Sequence, residues 1–327
     1  MSFYRKSIWL LKGLREYTRT GYEKASKKFT SSDLEVDCTG KVYLVTGANS
    51  GIGKVSAFNF AKRGGTVYLV CRNKERGEEA QRDIIEVTNN NNVHLRILDI
   101  SNIKEVIKFA KEFCENNERL DVLVNNAGCM LQNFPKTEEG LDTNFATNTL
   151  GPFVLTHALL PCLKHSDHGR VIMVSSGGML VQKLDAKNPQ LDGLSKYDGT
   201  MVYAQNKRQQ IVMTVHFAQQ YPEIFFSSMH PGWADTPAVR SAMPDFHRRM
   251  KDNLRTDEQG ADTVVWLGIA DAALKQGNGL FFQDRVPVST HLPFASTRNS
   301  DEEEQMFMDY LNNLSATLGF TVGLHKL

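Results

Sequence analysis

Several absences narrow this chain first. No run of 18 apolar residues occurs, so no stretch reads as an ordinary membrane-spanning helix. The apolar run "IWLL" near the start is broken by Lys12 and is too short for the core of a signal peptide. Cysteine is scarce and odd in number: Cys38, Cys71, Cys114, Cys129 and Cys162, with no CxxC spacing. That pattern argues against a disulfide framework and a zinc ribbon, and a reducing compartment is expected. An excess of one charge is also missing. The 38 Lys and Arg against 37 Asp and Glu leave a net charge of +1, which excludes a general binder of nucleic acid or another polyanion. There is no internal repeat, and "NNNN" at 89–92 is only a brief polar turn. With 41% hydrophobic and 23% charged residues, a chain of 327 has the composition of a globular protein, with room for one large α/β domain or two small ones.

What is present is unevenly placed. Residues 1–28 carry eight Lys or Arg and two Glu, so they sum to +6 and the remainder to −5. This segment reads as an amphipathic helix. On a wheel of about 100° per residue, Phe3, Tyr4, Ile8, Leu10, Leu11, Leu14 and Tyr17 share one half. Arg5, Lys6, Lys12, Glu16 and Arg19 share the other, with Trp9 among them against the pattern. Two placements stay open: a helix lying in an anionic membrane interface, or one packed on its own domain or a second copy.

After a polar linker at 29–40, short apolar runs alternate with helical stretches. "KVYLVTG", "GTVYLVCR", "NVHLRILDI", "LDVLVNNAG", "GRVIMVSSG", "IFFSSMHPG" and "GLFFQ" read as strands. "GKVSAFNFAKRG", "KERGEEAQRDIIEV" and "NIKEVIKFAKEFCENN" read as helices between them. Near-continuous apolar strands alternating with helices predict an α/β, doubly wound Rossmann-type parallel sheet of about seven strands, with helices on both faces, over 41–285. Residues 286–327 form a tail whose acidic "DEEE" suits the start of a final helix.

The first strand runs into "TGANSGIG", with Gly47, Gly51 and Gly53 spaced GxxxGxG, and then a helix. Small residues there let backbone approach a pyrophosphate, and the helix N-terminus offers free N–H groups. Sterics of a tight turn could demand the same glycines. The second strand ends on Cys71 and Arg72, where an NAD-selective fold usually has an acid. Arginine suits a ribose 2′-phosphate, and Lys54 adds positive charge near the loop. NADP(H) is therefore expected over NAD(H), unless Arg72 only faces solvent. Further along, "YAQNK" places Tyr203 and Lys207 on one helical face. A nearby ammonium favours a phenolate and would lower the tyrosine pKa from about 10. Alone, the pair could equally be a surface contact.

"TGANSGIG" (46–53), "NNAG" (125–128), "VSSGG" (174–178), "YAQNK" (203–207) and "HPGWADT" (230–236) occur in the order seen in the short-chain dehydrogenase/reductase family. The ordered set, over roughly residues 40–285, resembles that family more specifically than any one motif does. The resemblance implies an oxidoreductase with Tyr203 as proton donor or acceptor. It makes Lys207 the contact to the nicotinamide ribose, Ser176 the hydrogen-bond partner of the substrate oxygen and Asn148 the holder of a relay water. It further implies cofactor contacts from Gly47, Ser50, Gly51, Ile52, Gly53, Asp99, Asn126 and Thr236. Ser175 competes with Ser176. Ser176 and Tyr203 stand 27 positions apart, about twice the separation of many members, because of the polar insertion "VQKLDAKNPQLDGLSKYDG".

The loop after "HPGWADTPAVRSAMPDFHRRM" is the expected lid, with Met179, Trp233 and Met243 making the site apolar. His230 reads as a buried hydrogen-bonding residue rather than a base. The expected substrate is a small hydrophobic or lipid-like carbonyl or alcohol. The rival readings are a membrane-surface NADP(H)-binding module with vestigial catalysis, and methyl transfer from S-adenosylmethionine, which has no use for YxxxK. The oligomeric state stays open, a homo-oligomer included.

Overall fold

Strands that are buried on both sides account for the continuous apolar runs. The computed structural model describes residues 3–193 and 196–323. Its sheet contains β1 (Val42–Thr46), β2 (Thr66–Cys71), β3 (Val93–Ile97), β4 (Val122–Asn125), β5 (Arg170–Val174), β6 (Phe225–Met229), β7 (Leu280–Gln283) and β8 (Val286–Pro287). Their order is β3-β2-β1-β4-β5-β6-β7-β8. The first seven strands are parallel, and β8 returns antiparallel to β7. The eighth strand corrects the expected count of about seven. It is only two residues long and ends on Pro287 at the sheet edge, too short to leave an alternating pattern.

In the N-terminal segment, α1 (Phe3–Glu16) and α2 (Arg19–Ser26) replace the single expected helix. The chain breaks at Thr18, whose side chain caps α2 by accepting the Gly21 N–H. Along the sheet follow α3 (Gly51–Lys62), α4 (Lys74–Thr88), α5 (Ile103–Asn116), α6 (Thr143–Phe145), α7 (Gly151–Ala158), α8 (Leu160–Lys164) and α9 (Gly199–Gln220). Beyond β6 come α10 (Pro237–Ala242), α11 (Pro244–Met250), α12 (Asp257–Ile269), α13 (Asp271–Leu274) and α14 (Asp301–Thr317). Helix α14 starts with a capping box between Ser300 and Glu303.

The helices make two layers. Ala57 and Phe60 of α3, Ile84 of α4 and Val264 and Leu267 of α12 pack on one face. Val106 of α5, Phe153 of α7, Phe217 of α9 and Phe307 and Leu311 of α14 pack on the other. Each fully buried Leu or Phe contributes roughly 1.5–3 kcal/mol, so both layers hold the sheet firmly. Strand order reverses at β1, and a crevice opens beyond the carboxyl ends of the strands there.

A disulfide joins Cys114 on α5 to Cys162 on α8, a pairing that the spacing of the cysteines did not suggest. Among the described residues no helix is long and apolar enough to cross a membrane. The insertion before α9 packs through Lys183 onto Glu303 and through Gln190 onto Tyr310; its Leu194 and Ser195 lie outside the described residues.

Candidate active site

The loop after β1 bends through Gly47 at φ +66° and Gly51 at φ +55°, values that glycine adopts without strain. A Cβ on Gly53 would lie 2.4 Å from the Gly47 carbonyl oxygen, so close packing also demands glycine there. Ser50 precedes α3 without a side-chain capping bond, leaving first-turn N–H groups directed at the crevice. Asn126 braces this loop. Its side-chain amide donates to the Thr46 carbonyl at 2.8 Å and the Gly47 carbonyl at 3.3 Å.

A cavity of about 460 Å³ runs along this crevice. Gly47, Ser50, Gly51, Ile52 and Asn126 line one part with Arg72, and Ser176, Tyr203 and Lys207 line another, with Thr236 beside them. Gly53, Asp99 and Asn148 are not part of this lining. Arg72 is 73% exposed, and its guanidinium lies 3.7 Å from a carboxylate oxygen of Asp99. The other Asp99 oxygen accepts from the backbone and hydroxyl of Ser101. Thr236 caps α10 by accepting the Val239 N–H, and its methyl faces Gly51. Lys54 does not add charge here, contrary to expectation. The second residue of the α3 sequence after Ile52 points away from the loop, and Lys54 pairs with Asp83 of α4 at 2.5 Å.

The two serines after β5 diverge. The Ser175 hydroxyl is buried and donates to the Lys207 carbonyl at 2.9 Å. Ser176 faces the cavity beside Tyr203 and accepts the Gly178 N–H at 3.1 Å. Lys207 Nζ lies 5.3 Å from the centre of the Tyr203 ring and donates to the Val174 carbonyl at 2.7 Å and to Gln210 Oε1 at 3.3 Å. Asn148 sits in a π-helical turn, Ala146–Leu150, between α6 and α7. Such turns often occur at functional sites. Its side chain clasps Cys129, accepting from the backbone N–H at 2.9 Å and donating to the carbonyl at 2.8 Å. Gly128 lets this happen, because a Cβ there would stand 3.0 Å from Asn148 Oδ1 and 3.6 Å from Lys207 Nζ.

The electrostatics correct one expectation. Burial pushes Tyr203 up to about 12, partly offset by the neighbouring Ser176 hydroxyl, and pushes Lys207 down to about 7. The ammonium was expected to draw the phenol down. Instead both groups are biased toward neutral forms, because desolvation penalises either charge and Nζ is turned to backbone carbonyl rather than to the phenolic oxygen. His230 is buried, accepts the Gly177 N–H at 2.8 Å and is held neutral by burial.

Over the mouth, Met243 at the joint between α10 and α11 and Phe246 on α11 lie beside Trp233. Met179, expected in this wall, lies instead fully buried behind it with Tyr17 and Leu254. Phe246 and Cys129 also line the site. Cys129 follows "NNAG" directly, which could have flagged it; Phe246 lay in a segment with no spacing signal. Buried Arg255 is a further omission. It ties the Pro231 carbonyl, Asp284 and the carbonyls of Glu16 and Tyr17 together, a long-range arrangement with no local signature.

Three comparisons bear on this geometry. Residues 41–188 match the short chain dehydrogenase family. The chain is 54% identical over 317 residues to human dehydrogenase/reductase SDR family member 12, covering 97% of this chain and 99% of that protein. It is 35% identical over 265 residues to mouse retinol dehydrogenase 11, covering 79% and 83% of the two chains. A short chain dehydrogenase from Escherichia coli CFT073, solved in complex with NADPH, superposes with a TM-score of 0.62 at 26% identity, covering 78% of this chain and all of that one. On this evidence, together with the sheet order and the glycine loop, the chain belongs to the short-chain dehydrogenase/reductase family of oxidoreductases.

Proposed function

We propose that the protein is an NADP(H)-dependent oxidoreductase interconverting a carbonyl and an alcohol on a small hydrophobic substrate. One observation carries the reading: Ser176, Tyr203 and Lys207 line the same cavity as the glycine loop and Arg72. The loop fits a dinucleotide, since Gly47, Ser50, Gly51 and Ile52 line the cavity and the first turn of α3 has no side-chain cap. The N–H groups opening α3 would hold the pyrophosphate, Arg72 the 2′-phosphate and Lys207 the nicotinamide ribose. Bound there, NADP(H) supplies or accepts the hydride.

The chain's own residues then manage the oxygen and its proton. Ser176 donates a hydrogen bond to the carbonyl oxygen as negative charge grows on it. Tyr203 Oη gives that oxygen its proton in reduction and takes it back in oxidation. A neutral, raised-pKa phenol suits the first direction. Lys207, near the midpoint of its titration at neutral pH, supplies positive charge when the phenol must ionise. Leu131, Trp233, Val239, Met243 and Phe246 would hold an apolar chain, which makes long-chain and polyene aldehydes the first compounds to assay. The rival, a nucleotide-binding module without turnover, draws on the raised pKa of Tyr203.

The cofactor assignment is tested by calorimetric titration with NADPH and NADH. Arg72→Ala is expected to weaken NADPH about tenfold, the scale of one charge-assisted contact, and to leave NADH unchanged. Equal affinity of the wild type for both cofactors would contradict it.

A further inference from the structure

Helix α1 docks by the face that its sequence pattern marks as polar. Trp9 Nε1 donates to the Gly177 carbonyl at 2.8 Å, and the Trp9 ring meets Trp233 with centroids 5.6 Å apart. Gly13 is pressed against the Trp233 ring so closely that no Cβ would fit. Arg5 Nε donates to the Ala295 carbonyl at 2.7 Å, and Tyr17 is fully buried beyond the helix end. Most of the apolar face is left outside: Phe3 is 87% exposed, Leu11 64%, and Leu10, Leu14 and Tyr4 are exposed as well, while Ile8 and Tyr17 at its edges turn inward. A helix recruited only to stabilise its domain would bury the apolar stripe and hydrate the polar one. This helix leaves four of its large apolar side chains, Phe3, Leu10, Leu11 and Leu14, in solvent and docks through Trp9, Gly13 and Arg5, with specific hydrogen bonds holding it in that orientation.

A second segment, nearly 300 positions away in sequence, extends the same surface. Phe294 is 93% exposed and sits at φ +53°, a left-handed conformation that a bulky side chain rarely adopts. Its neighbours are gripped by α1: Tyr4 Oη donates to the Pro293 carbonyl at 3.1 Å, and Arg5 reaches the carbonyls of Ala295 and Ser296. On the helical wheel exposed Lys6 and Arg15 flank the two edges of the apolar stripe. Exposed Arg19, Lys24, Lys27 and Lys28 continue the positive charge along α2 and just beyond it, against exposed Glu23.

We infer that the outer face of α1, together with Phe294, seats the protein on an anionic lipid bilayer. The apolar stripe enters the acyl boundary, and the flanking cations stay at headgroup level, where long basic side chains reach outward. A second copy of the chain fits less well, since two segments carrying +6 each would face one another. This inference is independent of the cofactor and substrate, so its failure would leave the oxidoreductase reading standing.

The test is flotation of the full chain with phosphatidylcholine vesicles, with and without phosphatidylserine. The wild type is expected to float with the anionic vesicles and to be released by salt. Leu11→Ser and Leu14→Ser should each weaken partitioning about tenfold, as should Phe294→Ser. Lys6→Glu and Arg15→Glu should each cost at least about fivefold. Unchanged circular dichroism and melting establish that the variants fold. Failure of the wild type to float would overturn the inference. So would undiminished flotation of the leucine variants or of Phe294→Ser. Sedimentation without lipid gives the remaining outcome: a dimer that Leu11→Ser and Leu14→Ser dissolve, with no flotation, would make this face a protein interface and would also overturn it.

Discussion

Helices α9 and α1 break the rule of amphipathic packing in opposite directions. In α9 the consecutive polar residues Gln205, Asn206, Lys207, Arg208, Gln209 and Gln210 are all buried. In α1 the leucines are outside and the hydrogen-bonding side chains inside. The difference lies in what each helix faces. Helix α9 lies against strand ends and irregular turns whose carbonyls need donors. Lys207 serves Val174, Arg208 serves Met179, Gln182 and Thr290, Gln209 serves Pro189, and Gln210 serves Asn148 in the π turn. Its polar residues are structural donors, and Tyr203 and Lys207 stand at the end where that network meets the cavity. Helix α1 serves fewer carbonyls, and only Ile8 and Trp9 of its large apolar residues pack inward, while Phe3, Leu10, Leu11 and Leu14 stay outside. Reversed patterning has a structural explanation in α9 and calls for an external partner in α1.

That contrast can be attacked first through Arg208. Arg208→Met removes three hydrogen bonds and strands the acceptors, so unfolding in denaturant should be easier by about 3–5 kcal/mol. A change below about 1 kcal/mol would mean that the buried polar row is not structural. Beneath α9, His157 packs between Phe153 and Phe217, and burial pushes it down to about 4. Its folded pKa is therefore below the unfolded value of about 6.5, and the unfolded chain takes up the proton first. The stability it contributes is complete above about pH 6.5. It is lost as pH falls toward 4, by up to about 1.4 kcal/mol per pH unit. Stability curves of His157→Phe and the wild type should diverge across this window; parallel curves would contradict the burial argument. The two faces of α1 give the smallest effects. Trp9→Ala should cost about 2 kcal/mol through lost contact with Trp233. Leu14→Ser should change unfolding by no more than about 0.5 kcal/mol. Equal losses would erase the asymmetry.

Much of this was legible in the residues. The apolar runs located seven of the strands, and six of these are buried along most of their length, whereas β3 at the sheet edge is half open to solvent. The positions of Gly47 and Gly51 followed from a turn that requires positive φ. What escaped depended on direction. The α1 wheel separated an apolar from a polar half, but could not say which half docks. That is decided by partners such as Gly177 and Ala295, 168 and 290 positions distant. Lys54 follows the glycine loop in sequence yet turns to Asp83, and Met179 lies behind the wall it was expected to line. Spacing also put an ammonium beside Tyr203 but carried no measure of burial, which reversed the expected shift of the phenol.

The most direct test of the central claim is NADPH oxidation by Tyr203→Phe, with the best carbonyl substrate found for the wild type, alongside NADPH affinity measured by titration. Loss of the phenolic proton should lower turnover by about 10²–10⁴-fold, with NADPH affinity within about threefold of wild type. Undiminished turnover with intact NADPH binding would contradict the assignment of Tyr203 as the proton donor.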